Sequence, residues 1–466
     1  MAFIARHWIP AFAGMTAKAY VNDIAPGMAG SAAAVTAFRG EILDFIGDPA
    51  TQGDAAHRHY PDGVLVVRSG HVAALGPAAE VLASLPDGAT VTDYRGKLIL
   101  PGFVDTHIHY AQTDIIASYG AQLLDWLERY TFPAEGRFGD PGHAREVAEF
   151  FLQELLRNGT TTAMVFATTH KTSVDAIFEA ADARGLRLIA GKVLMDRNVP
   201  EPVRDTADSG YADSKALIAA WHGRGRLAYA VTPRFAPTST ERQLELCGRL
   251  LDEHPGVFLQ SHVAENRGEI AWVAELYPWS RSYLDVYDHY GLLRPRAVYA
   301  HCIHLDARDR QRMGESGAAM SFCATSNLFL GSGLFDAHAA HEHGVRVGIG
   351  TDVGGGTSFS MLRTLDESYK VCQLAGQRLS PFRAFYLATL GGAASLYLDD
   401  RIGSFDIGKE ADFVVLDPDA TPLLARRISR TETLAEKLFA FMIMGDDRAV
   451  HATHILGAPA CTRIGV

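Results

Sequence analysis

Cysteine is scarce in this chain, and what there is lies scattered along it. Cys247, Cys302, Cys323, Cys372 and Cys461 are odd in number and nowhere make a Cys-x-x-Cys motif. That argues against a disulfide framework and fits a reducing compartment, here expected to be the cytoplasm. No uninterrupted apolar run reaches membrane-spanning length. Positive charge is also short: 43 Lys and Arg stand against 54 Asp and Glu, a formal net charge of −11, with no long basic block. Nucleic acid and anionic membrane are therefore poor partners. A secretory pattern is missing too, because Arg6, His7 and Pro10 interrupt the first apolar stretch. Residues 1–33 read as a disordered or misassigned N-terminal extension.

What is present is the balance of a globular enzyme: 466 residues, 48% hydrophobic and 21% charged. Residues 34–100 carry short strand patterns, including 64–68 and 71–75 around a Ser69-Gly70 turn. Strand patterns return at 412–416 and 451–456. The two flanks, 34–100 and 396–466, are expected to pair into one composite domain, a small β-sandwich. Between them, over 101–395, apolar runs alternate with helical stretches, which predicts strand-helix units and a parallel sheet. Eight strands are expected, ending near His109 and covering 160–166, 188–195, 227–234, 257–262, 297–301, 318–323 and 345–352. The predicted class is α/β, a (β/α)8 TIM barrel.

Chemistry in such barrels gathers at the C-terminal ends of the strands, so the residues that close the apolar runs matter most. The first run ends in His107-Ile108-His109. Alternate residues of a strand project to one side, so the two imidazoles can converge on one point and suit Zn²⁺, Fe²⁺, Ni²⁺ or Cu²⁺. Three more runs end in His262, His301 and Asp352. Four histidines and one aspartate thus fall on one rim.

Several passages resemble the amidohydrolase superfamily and, within it, the guanine deaminase family. They are Val104-Asp105-Thr106-His107-Ile108-His109, Arg129-Tyr130-Thr131-Phe132-Pro133-Ala134-Glu135, Asn158-Gly159-Thr160-Thr161-Thr162-Ala163, Thr232-Pro233-Arg234-Phe235, Ser261-His262-Val263-Ala264-Glu265-Asn266 and Gly350-Thr351-Asp352-Val353. The Tyr-Thr-Phe-Pro-Ala-Glu passage separates this family from its cousins. Ile407-Gly408-Lys409-Glu410-Ala411-Asp412 resembles the superfamily's closing β-domain motif. Ala324 departs from the pattern, which usually has proline there.

The resemblance implies one Zn²⁺ held by His107, His109, His262 and Asp352. The lysine that a second metal usually requires is absent from the fourth strand, which ends Val231-Thr232-Pro233-Arg234. It further implies Glu265 as proton donor to the base, Asp352 as proton acceptor, and His301 as a hydrogen-bonding partner of the attacking water. Gln112, Arg234 and Phe235, together with His262, Glu265 and Asp352, are the implied substrate contacts. Arginine has only donors, so Arg234 would favour a base with a carbonyl, such as guanine, over one with an amino group. Guanine as substrate and a homodimer are further implications. A triazine or another aminated heterocycle is the rival substrate, and a catalytically dead scaffold the rival class. Trp126 is expected to serve packing, His338, His341 and His343 a solvated helix face, and Lys192 has no assigned role.

Overall fold

Ser69 and Gly70 both take positive φ, 53° and 80°. A two-residue hairpin turn requires this, because it matches the strands' right-handed twist. The turn joins β2 (His57–Arg68) to β3 (His71–Pro77), with Arg68 opposite His71. The computed structural model describes residues 35–120 and 122–463. The extension expected over 1–33 lies outside them.

β1 (Val35–Phe45) runs antiparallel to β2 and parallel to β4 (Thr90–Pro101). The next strands build the barrel: β5 (Phe103–His109), β6 (Thr160–Phe166), β7 (Arg187–Gly191), β8 (Val193–Leu194), β9 (Leu227–Pro233), β10 (Phe258–Val263), β11 (Ala297–His301), β12 (Ala319–Phe322) and β13 (Arg346–Ile349). All eight expected barrel strands are present. The third is split at Lys192, and its tip β8 pairs with β9. The ladders run β13-β12-β11-β10-β9-β7-β6-β5. Across the seam from β13 back to β5, Asp352 N donates to His107 O and His109 N donates to Val353 O, both at 2.9 Å. The barrel therefore closes through the segments that carry three of the expected metal ligands.

The chain then returns through β14 (Phe413–Leu416), β15 (Val450–Ile455) and β16 (Ala458–Thr462). β14 lies antiparallel to β4, so both chain ends enter one sheet of order β16-β15-β14-β4-β1-β2-β3. The expected β-sandwich takes the form of this single continuous seven-stranded mixed sheet. Phe38, Ile42, Leu65, Ile99, Phe413 and Val415 pack together on one of its faces. Arg226 tethers it to the barrel by pairing with Glu410 at 2.6 Å and with Asp412.

Inside the barrel, Val104, Met164, Ile189, Ala230, Phe258, Val298 and Ala319 form an apolar layer, sealed by Leu396, Leu398 and Ile402. That layer is filled, as barrel interiors are. Beyond it, at the opposite mouth, buried histidines and an aspartate converge.

Candidate active site

β5 presents His107 and His109 on one side, as its alternation requires, and their Nε2 atoms stand 3.2 Å apart. From β10, His262 Nε2 comes within 3.1 Å of His109 Nε2. Asp352 Oδ1 lies 3.2 Å from His107 Nε2 and 3.4 Å from His109 Nε2. These four buried groups form one cluster of converging donor atoms. Tetrahedral ligands at zinc distances sit about 3.3 Å from one another, so the spacing fits a small divalent ion.

The tautomers fit as well. His262 Nδ1 lies 2.7 Å from Arg234 O. A carbonyl only accepts, so Nδ1 carries the proton and Nε2 turns its lone pair into the cluster. Burial holds the His109 and His262 pKa values well below the ordinary imidazole range. Burial alone would raise the Asp352 pKa, yet His107 beside it wins and keeps it below the ordinary carboxylate range.

Chain geometry places these groups at the mouth. Ala264, His301 and Asp352 take φ of 51°, 68° and 53°. Such values are uncommon outside glycine, and they cluster where function demands a strained turn. Behind the ligands, Asp105 accepts from Thr351 Oγ1 at 2.5 Å, Thr351 N at 3.1 Å and His107 N at 3.2 Å, stitching β5 to the segment that carries Asp352. Its burial pushes its pKa up to about 7.

Glu265 and His301 form a second pair beside the cluster, 3.3 Å apart from Oε2 to Nε2. Ser332 Oγ donates to Glu265 Oε1 at 2.7 Å, and His301 Nδ1 meets Asn327 Oδ1 at 2.8 Å. Burial raises the Glu265 pKa above the ordinary carboxylate value, so the carboxyl holds a proton more readily. Burial opposes charge on His301, but the Glu265 and Asp352 carboxylates outweigh it and raise its pKa.

A cavity opens over these groups, lined among others by Gln112, Arg234, Phe235, His262, Glu265, His301 and Asp352. The structure thus brings every sequence-predicted site residue to one place. Trp126, expected to pack, does pack with Phe235 and Leu127 and also lines the cavity. His338 lies on an exposed helix face, paired with Glu342 at 3.1 Å. Lys192 is buried against Asp205. Ala324 opens the helix Ala324–Phe329, a position where proline is also tolerated.

Sequence reasoning missed three buried groups. Glu269 accepts from Glu265 N and Asn266 N, both at 3.1 Å, and borders the cavity; burial lifts its pKa to about 7. Cys323 stands near His301 and Asp352. Glu135 meets Arg234 Nη1 at 2.8 and 2.9 Å, and Gln112 Nε2 at 3.1 Å. Only Glu135 had a signal, its place in the Tyr-Thr-Phe-Pro-Ala-Glu passage.

Comparison with known proteins agrees with this arrangement. A sequence model described as the amidohydrolase family matches residues 98–459. The guanine deaminase of Escherichia coli (strain K12) is 52% identical over 423 residues, covering 90% of this chain and 96% of that protein. Among solved structures, E. coli guanine deaminase matches with a TM-score of 0.90 at 51% identity, over 92% of this chain and all 100% of that one. The guanine deaminase from C. acetobutylicum with bound guanine in the active site matches with a TM-score of 0.82 at 28% identity, over 91% of this chain and 99% of that one.

Proposed function

The chain belongs to the amidohydrolase family, and on that premise we infer that it deaminates guanine hydrolytically, giving xanthine and ammonia. The observation that carries this reading is the convergence of three imidazole nitrogens and Asp352 beside a cavity bordered by Arg234.

His107, His109, His262 and Asp352 would hold one divalent metal, zinc by the chemistry of three nitrogens and one carboxylate oxygen. Such an ion acts as a Lewis acid and lowers the pKa of water from 15.7 to about 7. The remaining work falls to side chains. Asp352, whose carboxylate stays ionised, accepts the proton of the attacking water. His301, within 3.8 Å of Asp352 Oδ2 and 3.3 Å of Glu265 Oε2, orients that water. Glu265, whose pKa burial raises, would deliver a proton to the ring nitrogen next to carbon 2 and then assist the departing ammonia. Arg234 donates to the carbonyl at carbon 6, Gln112 holds the base edge, and Phe235 supplies an aromatic wall.

The protein would act as a cytoplasmic homodimer. Free cysteines and the lack, among the described residues, of a helix long and apolar enough to cross a membrane are compatible with that setting. Ammonia release from guanine, adenine and melamine, measured side by side, tests the function. Turnover of guanine alone is expected. Preference for melamine would transfer the site to triazines, and no ammonia from any of them would sink the reading.

A further inference from the structure

We propose that Glu135 is a positioning residue that sets which bases the cavity accepts, a role that rests on the guanine-deaminating function above. Glu135 is fully buried and lies 99 residues from Arg234 and 23 from Gln112 in sequence, yet it binds both. Its segment is unusual. A five-residue π-turn, Leu127–Thr131, runs directly into the helix Phe132–Gly136 that carries it, and π-turns concentrate at functional sites. Trp126 and Leu127, at the start of that segment, line the same cavity as Arg234 and Gln112. One stretch of chain therefore supplies both an apolar wall and the carboxylate behind the polar one.

Donor and acceptor chemistry then fixes what the cavity presents. A carboxylate only accepts, so Gln112 must turn its amide NH₂ toward Glu135. Its carbonyl oxygen faces the other way and accepts from Gly354 N at 3.2 Å. The amide cannot flip without opposing a carbonyl to a carboxylate. Arg234 commits Nη1 to Glu135, while Nε and Nη2 have no hydrogen-bond partner among the described residues. Those donors remain for a base carbonyl. A guanidinium buried without a counter-charge is strongly unfavourable, so removing the Glu135 charge would let Arg234 abandon this pose. The wall would then stop distinguishing a carbonyl from no carbonyl.

Two non-reactive ligands isolate the effect: hypoxanthine, which has the carbonyl at carbon 6, and unsubstituted purine, which lacks it. Each is assayed as a competitive inhibitor of guanine turnover in the metal-loaded wild type and in Glu135→Gln. The Ki for hypoxanthine is expected to weaken by roughly 10- to 100-fold in the variant, as breaking a buried charge pair implies, while the Ki for purine changes less than about threefold. The guanine KM rises in parallel, and kcat stays within about threefold. Glu135→Asp, which keeps the charge one methylene back, is expected to restore part of the hypoxanthine preference, and it serves as the readout if Glu135→Gln does not fold. Equal weakening of both inhibitors, or of neither, overturns the proposal. A wild type that releases no ammonia from guanine overturns the assigned function instead, a result visible before any variant is made.

Discussion

His262 and His109, 153 residues apart in sequence, face each other Nε2 to Nε2 at 3.1 Å. The His262 proton sits on the opposite ring nitrogen, held by the Arg234 carbonyl at 2.7 Å. A lone pair therefore enters the cluster from β10, where a metal would use it.

About one metal per chain should accordingly appear by elemental analysis of the purified protein. Chelation is expected to lower the melting temperature as well as abolish turnover, since an ion bound only by the folded state stabilises it. His109→Ala should leave well under half an equivalent bound. A fully active protein free of metal would remove the basis of the site.

Glu265→Gln removes the acid while keeping the shape that Ser332 and His301 contact. The expected loss in kcat is about 10²- to 10⁴-fold, the usual contribution of a positioned proton donor, with metal content unchanged. Near-normal kcat in this variant would assign proton delivery elsewhere.

Gly350 sits where a Cβ would lie 2.5 Å from Ser321 Oγ and 2.9 Å from the His107 Cβ. Gly350→Ala is expected to destabilise the fold by about 1–3 kcal/mol, the range for overpacking, and to weaken metal binding by displacing His107. Calorimetry and metal titration read the two effects separately. Unchanged metal affinity would mean that His107 is not held by this contact.

His454 supplies a pH test remote from the site. It lies buried in the flanking sheet, stacked on Phe413 with ring centroids 4.2 Å apart, its Nε2 2.9 Å from Tyr94 Oη. Burial lowers its pKa from 6.5 to about 4. Between those values the unfolded chain binds the proton and the folded one does not, so stability rises with pH across the window. The contribution is complete above pH 6.5 and lost as pH falls toward 4, at most about 3 kcal/mol for such a shift. His454→Gln should flatten that part of the stability profile relative to wild type. Parallel profiles would show that His454 does not titrate differently on folding.

Much of the fold was legible because local chemistry specifies it. The barrel strands are mostly apolar runs with most of their residues buried, and each of the eight appears where its run stands. Ser69-Gly70 announces its hairpin through the positive φ that the turn needs. His107-Ile108-His109 announces a shared face through strand alternation alone. The break at Lys192 left no such trace, because it depends on β8 reaching across to β9.

The sequence by itself determined which residues end the strands, and hence which imidazoles and carboxylates could reach the mouth, since period and burial are local properties. Only the tertiary structure decided how they pair. Barrel closure set Asp352 beside His107, and the Leu127–Thr131 π-turn carried Glu135 to Arg234. Partners chosen across such spans follow from how the whole chain packs, and no spacing in the sequence encodes them.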